Sequence, residues 1–157
     1  MDYRHDGACG LYCGACDVLR ANDTGSVEAL AKHWGMDPDD LICRGCQTDT
    51  IAVFCRDCIF RDCTRSRGIA HCSECDEFPC DALVRFRNDA APHHSAVLHN
   101  SEQMREVGVE RWLEDQRVRW TCPSCHASFC WEDTTCAGCG SMLRDSRAEE
   151  AELDAAG

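Results

Sequence analysis

The chain has 157 residues, a formal net charge of −12 and 16 cysteines. Leu, Ile, Val and Phe together supply only 26 residues, under the roughly one fifth of a chain below which, at high net charge, disorder is the default. A fold held mainly by a large oily core is thereby excluded, and disulfides or metal ions remain as the staple.

The opening MDYRHDGACG has no basic n-region and no apolar h-region, and no run approaches 18 apolar residues. The expectation is a cytoplasmic protein without a signal peptide or membrane span. Thiols stay reduced there, so cysteine pairs read as metal or redox sites rather than disulfides. The acidity argues against nucleic acid as a partner, because phosphate neutralisation supplies most of that affinity. The charge is uneven, however: residues 41–70 carry five Arg against three Asp.

In chain order, CGLYCGAC places cysteines at 9, 13 and 16 with spacing C-x3-C-x2-C. An amphipathic helix follows, with Ser26 as N-cap, Val27, Leu30, Ala31 and Trp34 on one face, and Gly35 at its end. Asp37-Pro38 starts a turn or a single helical turn. Residues 43–80 hold CRGC, CRDCIFRDC and CSECDEFPC, the last two sharing C-x2-C-x4-C at an offset of 17 residues. Asp81 opens a helix carrying Ala82, Leu83 and Phe86. The stretch 88–100, with His93, His94 and His99, reads as a linker with exposed histidines. A helix from Ser101 is broken at Gly108, and its continuation places Trp112, Gln116 and Trp120 near one face. The acidic tail after residue 144 is expected to fray.

The pattern C-x2-C-x10-C-x2-C at 122–139 carries the strongest signal. Two CxxC turns aim backbone N–H groups at their thiolates and bring four sulfurs to one tetrahedral ion. The expected ligands are Cys122, Cys125, Cys136 and Cys139. Phe129 and Trp131 alternate around Cys130 as in a strand, so a β zinc ribbon is expected over 120–143. Cys130 reads as a small buried hydrophobe, and His126 as an exposed turn residue. Among the other cysteines, one grouping joins Cys43, Cys46, Cys55 and Cys58, joins Cys63, Cys72, Cys75 and Cys80, and leaves Cys9, Cys13 and Cys16 as a trio. Partitions that recruit His71 or His5 fit the spacing equally well. The trio suits either zinc or a [4Fe–4S] cluster.

The order CGLYCGAC, CRGC, CRDCIFRDC, CSECDEFPC resembles the domain of unknown function 3795 family, small cysteine-rich bacterial and archaeal proteins, over residues 8–87. The resemblance implies metal binding and carries no established reaction. The fold class expected is a small metal-stapled α+β protein: a Cys-rich, α-rich domain over 1–87, a linker with helices over 88–119, the β zinc ribbon over 120–143 and the acidic tail over 144–157.

No GxSxG, P-loop, GxGxxG or HExxH motif occurs in the sequence. The reading is a cytosolic protein binding several metal ions, mainly structural zinc, and serving as a non-catalytic scaffold or interaction module for a protein partner. Two alternatives stay open. One is an iron–sulfur or thiol redox protein with a cluster on Cys9, Cys13 and Cys16. The other is a nucleic-acid-binding zinc-ribbon protein.

Overall fold

The computed structural model describes residues 2–157. Among them are seven α-helices joined by short 3-10 turns: α1 Asp17–Thr24, α2 Val27–Trp34, α3 Ile59–Arg67, α4 Asp81–Arg87, α5 Val97–Val107, α6 Val109–Arg119 and α7 Ser146–Ala156. No helix among the described residues is long and apolar enough to cross a membrane.

The helix at 27–34 has the bounds that its apolar spacing predicts, with Gly35 in the left-handed conformation closing it. Gly108 separates α5 from α6 as expected. Helices α1 and α3 go beyond the expected elements, and each has a short buried face, Val18, Leu19 and Ala21 on α1 and Phe60 and Thr64 on α3. Each begins immediately after a cysteine, Cys16 or Cys58, and ends at a left-handed glycine, Gly25 or Gly68.

Three small apolar clusters replace a single core. Val18, Leu19, Ala31 and Leu41 pack beneath α1 and α2. Phe60, Leu83 and Val97 join α3, α4 and α5. Tyr12 and Ala15 meet Met104, Trp112, Trp120, Cys122, Phe129 and Cys136 in the third. Trp112 is fully buried and meets the Tyr12 ring edge-on at 6.2 Å. The Trp120 indole N–H donates to Gln116 Oε1 at 3.2 Å, one helical turn earlier. Full burial stabilises a side chain such as Leu19, Leu41 or Leu83 by about 1.5–3 kcal/mol. So few of them leave the fold in need of another staple.

The expected α+β class with a β zinc ribbon is corrected: the described residues form no sheet. Only three isolated antiparallel bridges occur, Asp6 with Tyr12, Thr121 with Ser128 and Thr135 with Met142. The physical reason lies in where the 129–131 backbone bonds. Cys130 N–H donates to the Asp133 carboxylate at 2.7 Å. Trp131 N–H donates to the Ala15 carbonyl, and the Trp131 carbonyl accepts from Ser146 N–H. These groups hold the segment against the loop before α1 and the start of α7, so no strand ladder extends from it.

The tail is also ordered. Asp145 caps α7 by accepting from Ala148 N–H at 3.0 Å. Its acids meet arginines from elsewhere, Arg87 with Asp154 at 2.7 Å and Arg119 with Glu149 at 3.3 Å, and the tail's own Arg144 pairs with Glu152. The acidic composition that suggests fraying is matched by basic partners distant in sequence.

Candidate metal centres

Two turns of the same design build the C-terminal centre. In the first, Cys122 N–H donates to the Ala127 carbonyl and His126 N–H to the Cys122 carbonyl. In the second, Cys136 N–H donates to the Ser141 carbonyl and Gly140 N–H to the Cys136 carbonyl. The residues correspond at an offset of 14, a repeat visible in the sequence as TCPSCHAS and TCAGCGSM. His126 and Gly140 occupy the same left-handed place, with φ of 62° and 76°. His126 is exposed there.

The four sulfurs of Cys122, Cys125, Cys136 and Cys139 all lie within 4.8 Å of one another. Cys122 Sγ is 3.7 Å from Cys139 Sγ, and Cys125 Sγ is 3.5 Å from Cys136 Sγ. A tetrahedral ion with metal–sulfur bonds of about 2.3 Å sets its sulfurs about 3.8 Å apart. The donor set fits one metal ion. Backbone N–H groups of Cys125 and Ser124 lower the Cys122 thiol, and the Ser141 hydroxyl and backbone lower Cys139. Cys125 moves upward, because its hydrogen bonds to Cys136 and Cys139 outweigh the Ala127 N–H.

Cys130 stands outside this quartet. It is buried, and burial together with Asp17 pushes its thiol up to about 12.

The eleven remaining cysteines surround two hollows. All sixteen thiols are free, with no disulfide. Cys63, Cys72, Cys75 and Cys80 line a pocket of about 190 Å³ between α3 and the turn before α4. Cys9, Cys13, Cys16, Cys43, Cys46, Cys55 and Cys58 line an open cleft of about 990 Å³. The trio at 9, 13 and 16 therefore shares its space with the CRGC and CRDC pairs. Besides burial, Cys43 and Cys16 lie near enough to raise the Cys55 thiol, and Cys46 and Cys58 raise both Cys55 and Cys9. Burial pushes Cys16 up to about 11 against the N–H groups of Leu19 and Val18, and pushes Cys55 up to about 12.

The backbone at this cleft is tightly drawn. Gly45, between Cys43 and Cys46, has φ +108°, and a Cβ there would lie 1.9 Å from the Arg4 carbonyl oxygen. Arg4 N–H in turn donates to the Arg44 carbonyl at 2.8 Å.

His5 and His71 are not gathered with thiols into any close ligand group among the described residues. His71 is buried, with Nε2 2.9 Å from Asp6 Oδ2 and Nδ1 3.1 Å from Glu74 Oε1. Of the linker histidines, His99 is exposed. His93 is half-buried and stacks on Trp131, the ring centroids 4.2 Å apart and the planes 5° from parallel. His94 stacks on Phe86 and bonds Asp89.

Fold and site together define a helical, cysteine-rich protein with a four-cysteine centre suited to a metal ion. The family described as Protein of unknown function (DUF3795) matches residues 5–85, and the chain belongs to that family. No curated protein and no solved structure matches the chain. The four-cysteine centre lies outside the matched residues.

Proposed function

We propose that the chain is a metal-dependent protein whose C-terminal centre holds a structural zinc ion. The observation that carries this reading is the pair of sulfur–sulfur distances, 3.5 and 3.7 Å, within a closed quartet of thiolates. Four thiolates without an open position are the donor set of structural zinc. Cys122 and Cys136 belong to the same apolar cluster as Trp112, Trp120 and Tyr12. An ion there would tie α6 to the loop that precedes α1.

The role inferred is a non-catalytic interaction module in the cytoplasm. Its support is the exposed pair Trp34 and Phe54, edge-on at 6.2 Å, with exposed Ile59 also on the cleft. Aromatic side chains of this kind anchor protein partners. Elemental analysis of wild type and of a Cys122→Ser/Cys136→Ser variant tests the zinc reading. Loss of one zinc per chain in the variant is expected, and unchanged zinc contradicts it. Recovery of a stoichiometric protein partner by wild type but not by Trp34→Ala/Phe54→Ala tests the role.

A further inference from the structure

We infer that the cleft lined by Cys9, Cys13, Cys16, Cys43, Cys46, Cys55 and Cys58 is a binding site for a polynuclear iron–sulfur centre, distinct from the C-terminal ion. At 122–139 four sulfurs converge within 4.8 Å. Around the cleft seven thiols face one space, yet no three of their sulfurs converge to that distance. A mononuclear site needs its sulfurs around one ion. A zinc–thiolate cluster needs cysteine sulfurs shared between ions, which also draws them together. In an iron–sulfur cluster inorganic sulfide bridges the irons, and each cysteine binds a separate corner. Its thiolates stay apart, and the space between them must be large.

The cleft has that space, about 990 Å³. Its other walls include Leu11, Val18, Leu19, Phe60 and Phe86, the apolar surroundings that govern solvent access to such centres.

Backbone donors form the second line of support. Ala8 N–H points at Cys46 Sγ from 3.5 Å, and Gly45 N–H at Cys43 Sγ from 3.4 Å. Cys16 is the N-cap residue of α1, where the Leu19 and Val18 N–H groups face its sulfur. Hydrogen bonds to ligand sulfurs are among the features that set the potential of iron–sulfur clusters. On binding, each ligating thiol releases its proton to solvent, while iron and sulfide come from outside the chain.

The inference does not rest on the C-terminal zinc, and its test separates the two. Full-length protein is purified without oxygen and assayed for iron, acid-labile sulfide, zinc and visible absorption. The expected result is a brown protein with equal iron and sulfide, at least about two of each per chain, bleached by dithionite. Cys13→Ser/Cys46→Ser is expected to lose the colour and most of the iron yet retain one zinc. Cys122→Ser/Cys136→Ser is expected to retain the colour. A colourless anaerobic wild-type protein carrying zinc without sulfide overturns the inference, whether or not the variants fold. Colour and iron that survive in Cys13→Ser/Cys46→Ser overturn the assignment to this cleft.

Discussion

The guanidinium of Arg20 donates to Cys130 Sγ at 3.1 Å and, through its other nitrogen, to the Ser128 carbonyl and hydroxyl at 3.0 Å. One side chain of α1 thus grips the segment between the two C-terminal cysteine turns. The contact explains why Cys130 is buried without belonging to the quartet. Arg20→Ala is expected to cost about 1.5–3 kcal/mol, the range for hydrogen bonds to charged groups, measured by urea unfolding. Cys130→Ser is expected to keep full zinc content. Loss of zinc in that variant would make Cys130 a ligand.

Asp6 is fully buried between Arg4 and His71. The pairing joins the N-terminal segment to the turn that carries Cys72. Arg4 is half exposed and His71 can shed its proton, so removing Asp6 leaves no buried charge but strands the buried His71 ring without its partner at Nε2, at about 1–3 kcal/mol. Asp6→Ala should therefore unfold at lower denaturant than wild type. A midpoint within error of wild type would place the pairing outside the energetics of the fold.

His93 gives a pH dependence of definite sign. Burial, with the neighbouring His94 charge, lowers it to about 4, against the pull of Asp89. The folded chain therefore holds this ring neutral, while the unfolded chain takes up a proton near pH 6.5. Its contribution is complete above that pH and is lost as pH falls from about 6.5 toward 4. Allowing for solvent screening, the loss is on the order of 1–2 kcal/mol. His93→Phe keeps a ring to stack on Trp131 and removes the proton. Between pH 7 and 5, the wild-type Tm should fall relative to the variant. Parallel curves would refute the assignment.

Gly45→Ala tests how tightly the cleft is built. The added Cβ would meet the Arg4 carbonyl oxygen at 1.9 Å in a left-handed backbone. Neither the backbone contact nor the conformation can be relieved by a side-chain rotation. A cost of at least about 3 kcal/mol is expected, seen as loss of soluble protein or a large fall in Tm. Gly25→Ala, which also has a positive φ but meets nothing within 4 Å, should cost only about 1 kcal/mol.

The parts legible in the sequence were those with local rules. Apolar spacing and Gly35 mark α2, and paired CxxC spacing marks the quartet at 122–139. Alternation around Cys130 was misleading, because a strand needs a partner, and the partner groups here are Ala15, Asp133 and Ser146. Helices α1 and α3 are amphipathic too, burying Val18, Leu19 and Ala21 and Phe60 and Thr64, but these short stripes sit beside cysteine motifs that read first as metal sites. The sharing of one cleft by seven thiols is a long-range fact: it brings residues 9–16 to residues 43–58, and spacing alone leaves that pairing open. The order of the tail likewise depends on Arg87 and Arg119, far away in the chain.

Thin apolar clusters share the fold with sixteen thiols, so the helices are expected to depend on bound metal. Far-UV circular dichroism during anaerobic titration with a chelator, with released metal counted at each step, tests this most directly. Helical signal lost in proportion to metal released, and restored on adding it back, is the predicted result. Complete metal release with the helical signal and Tm unchanged would contradict the account.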